Sequence, residues 1–210
     1  MDSLILRCLV AAATGYLLGN LNGAVILSSL TDHQDVRNLG SGNAGMTNFL
    51  RNFGLRKTVP VVVTDLSKAL LACLCGGMLL QDAGYYPEGV MLGGVAVTLG
   101  HDFPAIMGFR GGKGILCAFG LILILDWQMA LVALALFALI VLISRYVSLG
   151  SCLTFLLVAI ATAVRNWNRP WVVVGICLVT VLALWMHRGN ICRIFQGTER
   201  KISLRKGARS

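Results

Sequence analysis

Residues 100–114 read Gly-His-Asp-Phe-Pro-Ala-Ile-Met-Gly-Phe-Arg-Gly-Gly-Lys-Gly, and a long apolar run lies on each side of them. Both runs have the character of membrane-embedded segments. The stretch therefore brings His101, Asp102, Arg110 and Lys113, with five glycines, to a place where backbone and charge are costly. Glycine lets backbone N–H groups approach a ligand closely. Arg and Lys beside such backbone can cradle a phosphate. A tight connection carrying positive charge at a membrane surface is the other reading of the same residues. The rest of the chain has to separate the two.

Of the 210 residues, 57% are hydrophobic and only 13% charged, where a soluble domain averages about 25% charged. Mean hydropathy is +0.78. A multi-pass membrane protein follows, as one domain over residues 1–210. The net charge of +9 comes without the aromatic-basic pattern of a nucleic-acid reader, so no nucleic-acid partner is expected. Much of that charge is topological. The seven cysteines sit mostly inside apolar runs, with no Cys-x-x-Cys spacing, and read as small buried hydrophobes. The apolar start is too long for a signal-peptide core and counts as the first span.

Seven spans are expected, over residues 4–30, 58–80, 89–99, 115–125, 127–143, 149–164 and 170–186. The first carries Gly15, Gly19 and Gly23 at a spacing that lets another helix come close. Its Asn20 and Asn22 either bridge helices or line a site. The second carries Asp65 and Lys68 at i,i+3. One such charge at mid-bilayer costs about 2.5–3.5 kcal/mol on insertion scales, and pairing lowers this. The pair fixes registry between helices or orients the polar loop beside it. The third span is short, so part of the 100–114 stretch dips into the protein. Asp32 and His33 read as a solvated helix end.

Odd span number puts the chain ends on opposite sides. Fourteen of the 18 Lys and Arg then fall on one side, from Arg37 to Arg205, Lys206 and Arg209. Arg7, Arg165 and Arg169 fall on the other, and Lys68 stays inside a span. The basic side is cytoplasmic by the positive-inside rule, so the N-terminus is outside and the C-terminus inside. The fold is an all-α integral membrane bundle of seven transmembrane helices.

This topology gathers four polar islands at one face: residues 35–51, 100–114, 144–151 and 187–201. Each is rich in groups that hold phosphate. Charge bias accounts for the Arg and Lys, but not for the Ser, Asn, His and Gly among them. A shared site for a phosphorylated ligand is favoured. The run from Gly108 to Gly114 is one spacer short of a Walker A loop and has glycine where Ser or Thr would hold Mg²⁺, which excludes nucleotide hydrolysis. Ser41 and His187 lie in membrane-edge islands, which argues against an intramembrane serine protease. A carrier for a phosphorylated solute would call for inverted repeats and broken mid-membrane helices, and none is evident. A purely structural scaffold is the third class.

Three motifs carry a resemblance. Gly40-Ser41-Gly42-Asn43-Ala44-Gly45-Met46-Thr47-Asn48-Phe49-Leu50-Arg51 resembles the first signature of the bacterial acyl-phosphate-dependent glycerol-3-phosphate acyltransferases, the PlsY family. Gly100-His101-x-Phe103-Pro104 through Gly111-Gly112-Lys113-Gly114 resembles the second. His187-Arg188-x-Asn190-Ile191-x-Arg193 through Gly197-x-Glu199 resembles the third. The motifs stand in order and on one expected face, and the likeness covers nearly the whole chain. Met46 and Arg110 stand where Ala and Lys are often found.

The resemblance implies transfer of a fatty acyl group from acyl phosphate to the 1-hydroxyl of glycerol 3-phosphate. The products are 1-acylglycerol 3-phosphate (lysophosphatidic acid) and phosphate, in the first acylation of phospholipid synthesis. It implies no cofactor and no metal. It also implies contact with membrane lipid at the bacterial inner membrane, an active site on the cytoplasmic side, and a functional link to the enzyme that makes the acyl phosphate. Carried over residue by residue, Ser41 and Arg51 hold a phosphate, with Ser41 near the reacting carbonyl or acting as a helix N-cap. Gly111, Gly112 and Lys113 contact the phosphate of glycerol 3-phosphate. His187 and Asn190 position the reacting groups, with His187 or the substrate's own phosphate as base. Asn43, Thr47, Asn48, His101, Gly114 and Arg193 line the substrate site, joined by Arg145 and Ser148. Glu199 gives structural support, pairing with Arg or Lys of the first or third island. The chemistry suits these residues. Two charges at 4 Å interact by about 4 kcal/mol at an effective dielectric of 20, and fixed cations offset the repulsion between two phosphates.

Overall fold

The computed structural model describes residues 2–202, and every regular element among them is helical. Arg205, Lys206 and Arg209 of the basic count lie outside the described residues. The helices are α1 (Asp2–Asn20), α2 (Gly23–Asp32), α3 (Met46–Leu80), α4 (Tyr86–Asp102), α5 (Ile115–Leu125), α6 (Trp127–Ser144), α7 (Val147–Arg165), α8 (Pro170–Met186) and α9 (Arg188–Phe195).

Five stretches are long and apolar enough to cross a membrane: Ser3–Asp32, Met46–Ala83, Tyr86–Met107, Trp127–Ser144 and Val147–Arg165. α8 and α9, bent by 54° at His187, make a sixth when taken together. The chain is therefore a multi-pass membrane protein. α5, expected as a full span, has 11 residues. At 1.5 Å per residue it covers about 16 Å, roughly half the hydrocarbon core.

The centre is built by close backbone approach. Gly19 lies against α4: a Cβ there would stand 2.4 Å from the Val97 carbonyl oxygen. A Cβ on Gly93 would stand 2.2 Å from the carbonyl of Ala72 in α3. Small residues thus let α1, α3 and α4 pack at the distances typical of membrane helices. A larger core of Met91, Leu121, Ile122, Phe155, Ile176 and their neighbours joins α4, α5, α7 and α8. α6 contributes little beyond Ala130 and Ala133 and turns Leu131, Val132, Leu139 and Leu142 outward.

Three boundaries differ from the sequence reading. α3 starts at Met46, not near residue 58, and bends at Gly54, whose φ of 80° suits glycine. Its first turns carry Asn48, Arg51 and Asn52, so they read as loop by polarity although they are helix at the membrane edge. α4 continues to Asp102, which puts His101 and Asp102 on a helix rather than in the loop. The first span breaks at residues 21–22, where Asn22 caps α2 through Val25 N–H. Of the cysteines, Cys73, Cys117 and Cys152 are buried, but Cys177 and Cys192 are exposed.

The two rims differ in charge. Arg7, Arg165 and Arg169 each lie beside an acid, Asp82 at 3.6 Å, Asp126 at 3.1 Å and Glu88 at 3.0 Å. The other rim holds the four polar islands. Asp32, at the end of α2, bonds Thr31 and Lys57 there, and His33 is exposed.

Candidate active site

The first island folds around one amide. Asn48 Oδ1 accepts the Ser41 N–H at 3.0 Å, and its Nδ2 donates toward the carbonyls of Val36, Leu39 and Asn43, each at 3.0 Å. Gly40 and Gly42 take φ of 59° and 72°, which lets the loop turn back over the start of α3. Ser41 is exposed on this loop and is not a helix cap; Gly45 holds the position before α3. No side chain among the described residues caps α3, so its first N–H groups are left for another acceptor.

The second island doubles back onto α4. Gly111 N–H donates to Asp102 O at 3.1 Å and Gly112 N–H to His101 O at 3.0 Å. Three arms tie it to the rest. Tyr16 Oη donates to Phe103 O at 2.8 Å, Ile106 N–H donates to Asn20 Oδ1 at 3.3 Å, and Arg37 Nη1 donates to the carbonyls of Met107 and Arg110. Arg37 is itself held by Asp35. Asn22 Nδ2 reaches the other loop, donating to Ala44 O at 3.0 Å. The two asparagines of the first span therefore bridge to the loops.

The third and fourth islands meet at Glu199. One carboxylate oxygen accepts from Ser148 Oγ at 2.8 Å and from Asn190 Nδ2 at 2.7 Å, and the other from Arg193 Nε at 2.8 Å. Glu199 thus pairs with an arginine of its own island, not with one of the first or third. Asn190 uses its other end to accept a hydrogen bond from Lys113 of the second island. Arg51 of the first donates to Arg200 O at 3.1 Å. At the α8–α9 bend the ring of His187 is buried, with Nδ1 2.8 Å from Ala183 O. A carbonyl accepts, so Nδ1 carries a hydrogen, and in the neutral ring Nε2 keeps its lone pair.

These groups surround one cavity of about 560 Å³. Its polar end is lined by Ser41, Asn43, Thr47, Asn48, Arg51, His101, Lys113, Gly114, Ser148, His187, Asn190, Arg193 and Glu199. It then runs on between α3, α5, α6 and α7, past Leu66, Phe119, Ile122, Leu134, Phe137 and Val158. Three expected site residues stand outside it. Gly111 and Gly112 lie behind the wall, and Arg145 is exposed in the left-handed turn after α6, where its carbonyl accepts Ile202 N–H at 2.8 Å. Ser151 and Thr154 line the cavity without having been expected. They follow Ser148 at i+3 and i+6, a polar line down one face of an apolar helix, and that spacing was the signal.

Burial pushes the Lys113 ammonium down to about 8, with Glu199 opposing the shift. Burial also works against the Glu199 charge. Hydrogen bonds from Asn190, Ser148 and Arg193 outweigh it and hold the carboxyl below its usual range. Cations thus dominate the polar end, with the Glu199 carboxylate aligning Arg193 and Asn190.

The cavity thus joins a cation-rich polar end to an apolar slot within a membrane bundle. Residues 9–197 match the family model described as glycerol-3-phosphate acyltransferase. The chain is 37% identical over 193 residues to a glycerol-3-phosphate acyltransferase of Thermoanaerobacter pseudethanolicus, covering 92% of this chain and 94% of that one. It is 38% identical over 192 residues to the one of Pseudomonas fluorescens, covering 90% and 96%. Among solved structures it is similar to PlsY, an integral membrane glycerol 3-phosphate acyltransferase. The glycerol 3-phosphate form matches with a TM-score of 0.85 at 29% identity over 93% of this chain and 96% of that one. The lysophosphatidic acid form matches at 0.82 and 27%, over 93% and 95%. The chain belongs to the glycerol-3-phosphate acyltransferase family, as the three motifs imply.

Proposed function

We propose that this protein transfers a fatty acyl group from acyl phosphate to the 1-hydroxyl of glycerol 3-phosphate, giving 1-acylglycerol 3-phosphate and phosphate. One observation carries the reading: side chains from all four islands meet around a cavity whose other end is apolar. Arg51, Lys113 and Arg193 offset the repulsion between two phosphate-bearing reactants and hold them in line. The apolar end, between Phe119, Leu134 and Phe137, takes the acyl chain.

The reaction needs no acyl-enzyme, because acyl phosphate is an activated mixed anhydride. The 1-hydroxyl oxygen attacks the carbonyl carbon, the bond from that carbon to the bridging phosphate oxygen breaks, and inorganic phosphate leaves. The hydroxyl proton passes to His187 Nε2 or to a substrate phosphate oxygen. The free lone pair of Nε2 favours His187, since its tautomer is fixed by Ala183. Ser41 lies beside the reacting carbonyl in this scheme, and Arg51 beside its phosphate.

Seven crossings, with the short α5 counted as one of them, the N-terminus outside and the islands in the cytoplasm, complete the proposal. The pairing of Arg7, Arg165 and Arg169 with acids leaves the uncompensated positive charge on the island rim, which supports that orientation.

Purified protein is to be given glycerol 3-phosphate with acyl phosphate, acyl-CoA or acyl carrier protein in parallel. Phosphate and lysophosphatidic acid released in equal amounts from acyl phosphate alone is the expected result. Turnover with either thioester instead refutes the donor. Accumulation of unchanged substrate in vesicles indicates a carrier.

A further inference from the structure

Asp65, Lys68 and His101 are almost wholly buried, and the scheme above gives none of them a part in bond making. They meet where α1 gives way to α2. Lys68 Nζ lies 2.8 Å from Asp65 Oδ1, 2.7 Å from Leu21 O, 3.3 Å from Gly19 O and 2.9 Å from His101 Nδ1. Asp65 Oδ1 also accepts the Gly23 N–H at 3.2 Å. The pair thus takes up carbonyls and an amide that the helix break has set free, as non-helical backbone at membrane depth requires.

The histidine takes the cluster beyond architecture. An ammonium group only donates, so Nδ1 of His101 accepts and the ring hydrogen sits on Nε2. That edge of the ring abuts Gly112: a Cβ on Gly112 would fall 2.0 Å from Nε2. Gly112 N–H meanwhile donates to the backbone carbonyl of the same histidine. The next residue is Lys113. His101 also lines the cavity.

We infer that Asp65, Lys68 and His101 form a positioning assembly for the Gly112–Lys113 backbone: the ion pair holds His101 as the Nε2–H tautomer, and the ring sets the height at which Lys113 meets its phosphate. The three act through Lys113 and are not catalytic residues. The nature of the phosphate ligand rests on the acyltransfer reading.

The test joins spectroscopy and kinetics. The chain has three histidines, so ¹⁵N-histidine spectra of the full protein in lipid discs can be assigned by His101→Gln. The wild type should show His101 as the neutral Nε2–H form, and Lys68→Met should lose that form. Where Lys68→Met does not fold, Asp65→Asn combined with Lys68→Met removes both charges together and reads the same signal. KM for glycerol 3-phosphate should rise about 10-fold in these variants, the scale on which supporting partners act, with KM for acyl phosphate nearly unchanged. His101→Gln, which keeps a donor near Nε2, should retain more affinity than His101→Met. Inorganic phosphate titrated into the same samples should bind more weakly in the variants, whether or not the protein turns over. A His101 found as the Nδ1–H form, or folded variants with wild-type phosphate binding, overturns the assembly. A wild type that binds phosphate with the expected tautomer but transfers no acyl group refutes the acyltransfer reading alone.

Discussion

Gly112→Ala puts a methyl where no room exists. The added carbon would lie 2.0 Å from His101 Nε2 and 2.8 and 2.9 Å from the two ring carbons flanking it. Non-bonded heavy atoms need roughly 3.5 Å, so ring and loop must separate by about 1.5 Å. The ring is held from behind by Lys68, which is itself fixed to Asp65 and to the Leu21 carbonyl. The loop is therefore the part that gives, and it carries Lys113 with it. A misplacement of about 1 Å in a positioning element can cost about 10²-fold in rate, equivalent to about 2.7 kcal/mol of transition-state stabilisation. Initial rates of phosphate release with glycerol 3-phosphate varied at saturating acyl phosphate give kcat/KM directly. We expect a fall of about two orders of magnitude in protein that still extracts and elutes like wild type. A folded Gly112→Ala enzyme with wild-type kcat/KM would show that the glycine loop is not held by His101.

Three further outcomes follow from the same geometry. With Lys113 at about 8, its ammonium is charged below that pH and neutral above it, so kcat/KM for glycerol 3-phosphate should fall as pH rises through 8. Lys113→Arg should remove that inflection, because a guanidinium stays charged; an inflection that persists assigns it to another group. Glu199→Gln weakens charge-assisted bonds worth about 1.5–3 kcal/mol and frees Arg193 and Asn190 to swing, so kcat/KM should drop at least about 10-fold in the same phosphate-release assay. Thr154→Val replaces a buried hydroxyl that has no hydrogen-bond partner among the described residues, on the apolar side of the cavity, by a methyl. Thermal denaturation in detergent should show it more stable by about 1 kcal/mol, and a loss of stability would mean the hydroxyl has a partner after all.

Most of the spans were legible because bilayer crossing needs long apolar runs; α5 and α8 begin and end where the sequence reading puts them, although α5 is too short to count among the candidate spans. The convergence of four islands was legible too, through loop polarity and topology. Hydropathy could not see conformation: the first turns of α3 are helix with the composition of a loop, and α4 carries His101 and Asp102 past the end of its apolar run. Nor could motif position separate residues that line the cavity from those that shape its wall. Gly112 sits in the motif because His101 needs the space, and Asn48 because its amide folds the loop. Arg145 drew attention by charge alone. The pairing of Lys68 with a histidine 33 positions away was beyond sequence, which had left the ion pair between two roles.

Because the charged mouth and the oily slot form a single continuous void, head and tail are weighed together. A water-soluble phosphate ester satisfies the guanidinium and ammonium groups and leaves the slot unfilled. A plain hydrocarbon fills the slot and leaves those cations facing nothing. On the acyltransfer reading, glycerol 3-phosphate needs only the cationic end while the acyl donor spans both, so the slot discriminates among donors and leaves the acceptor to the cations.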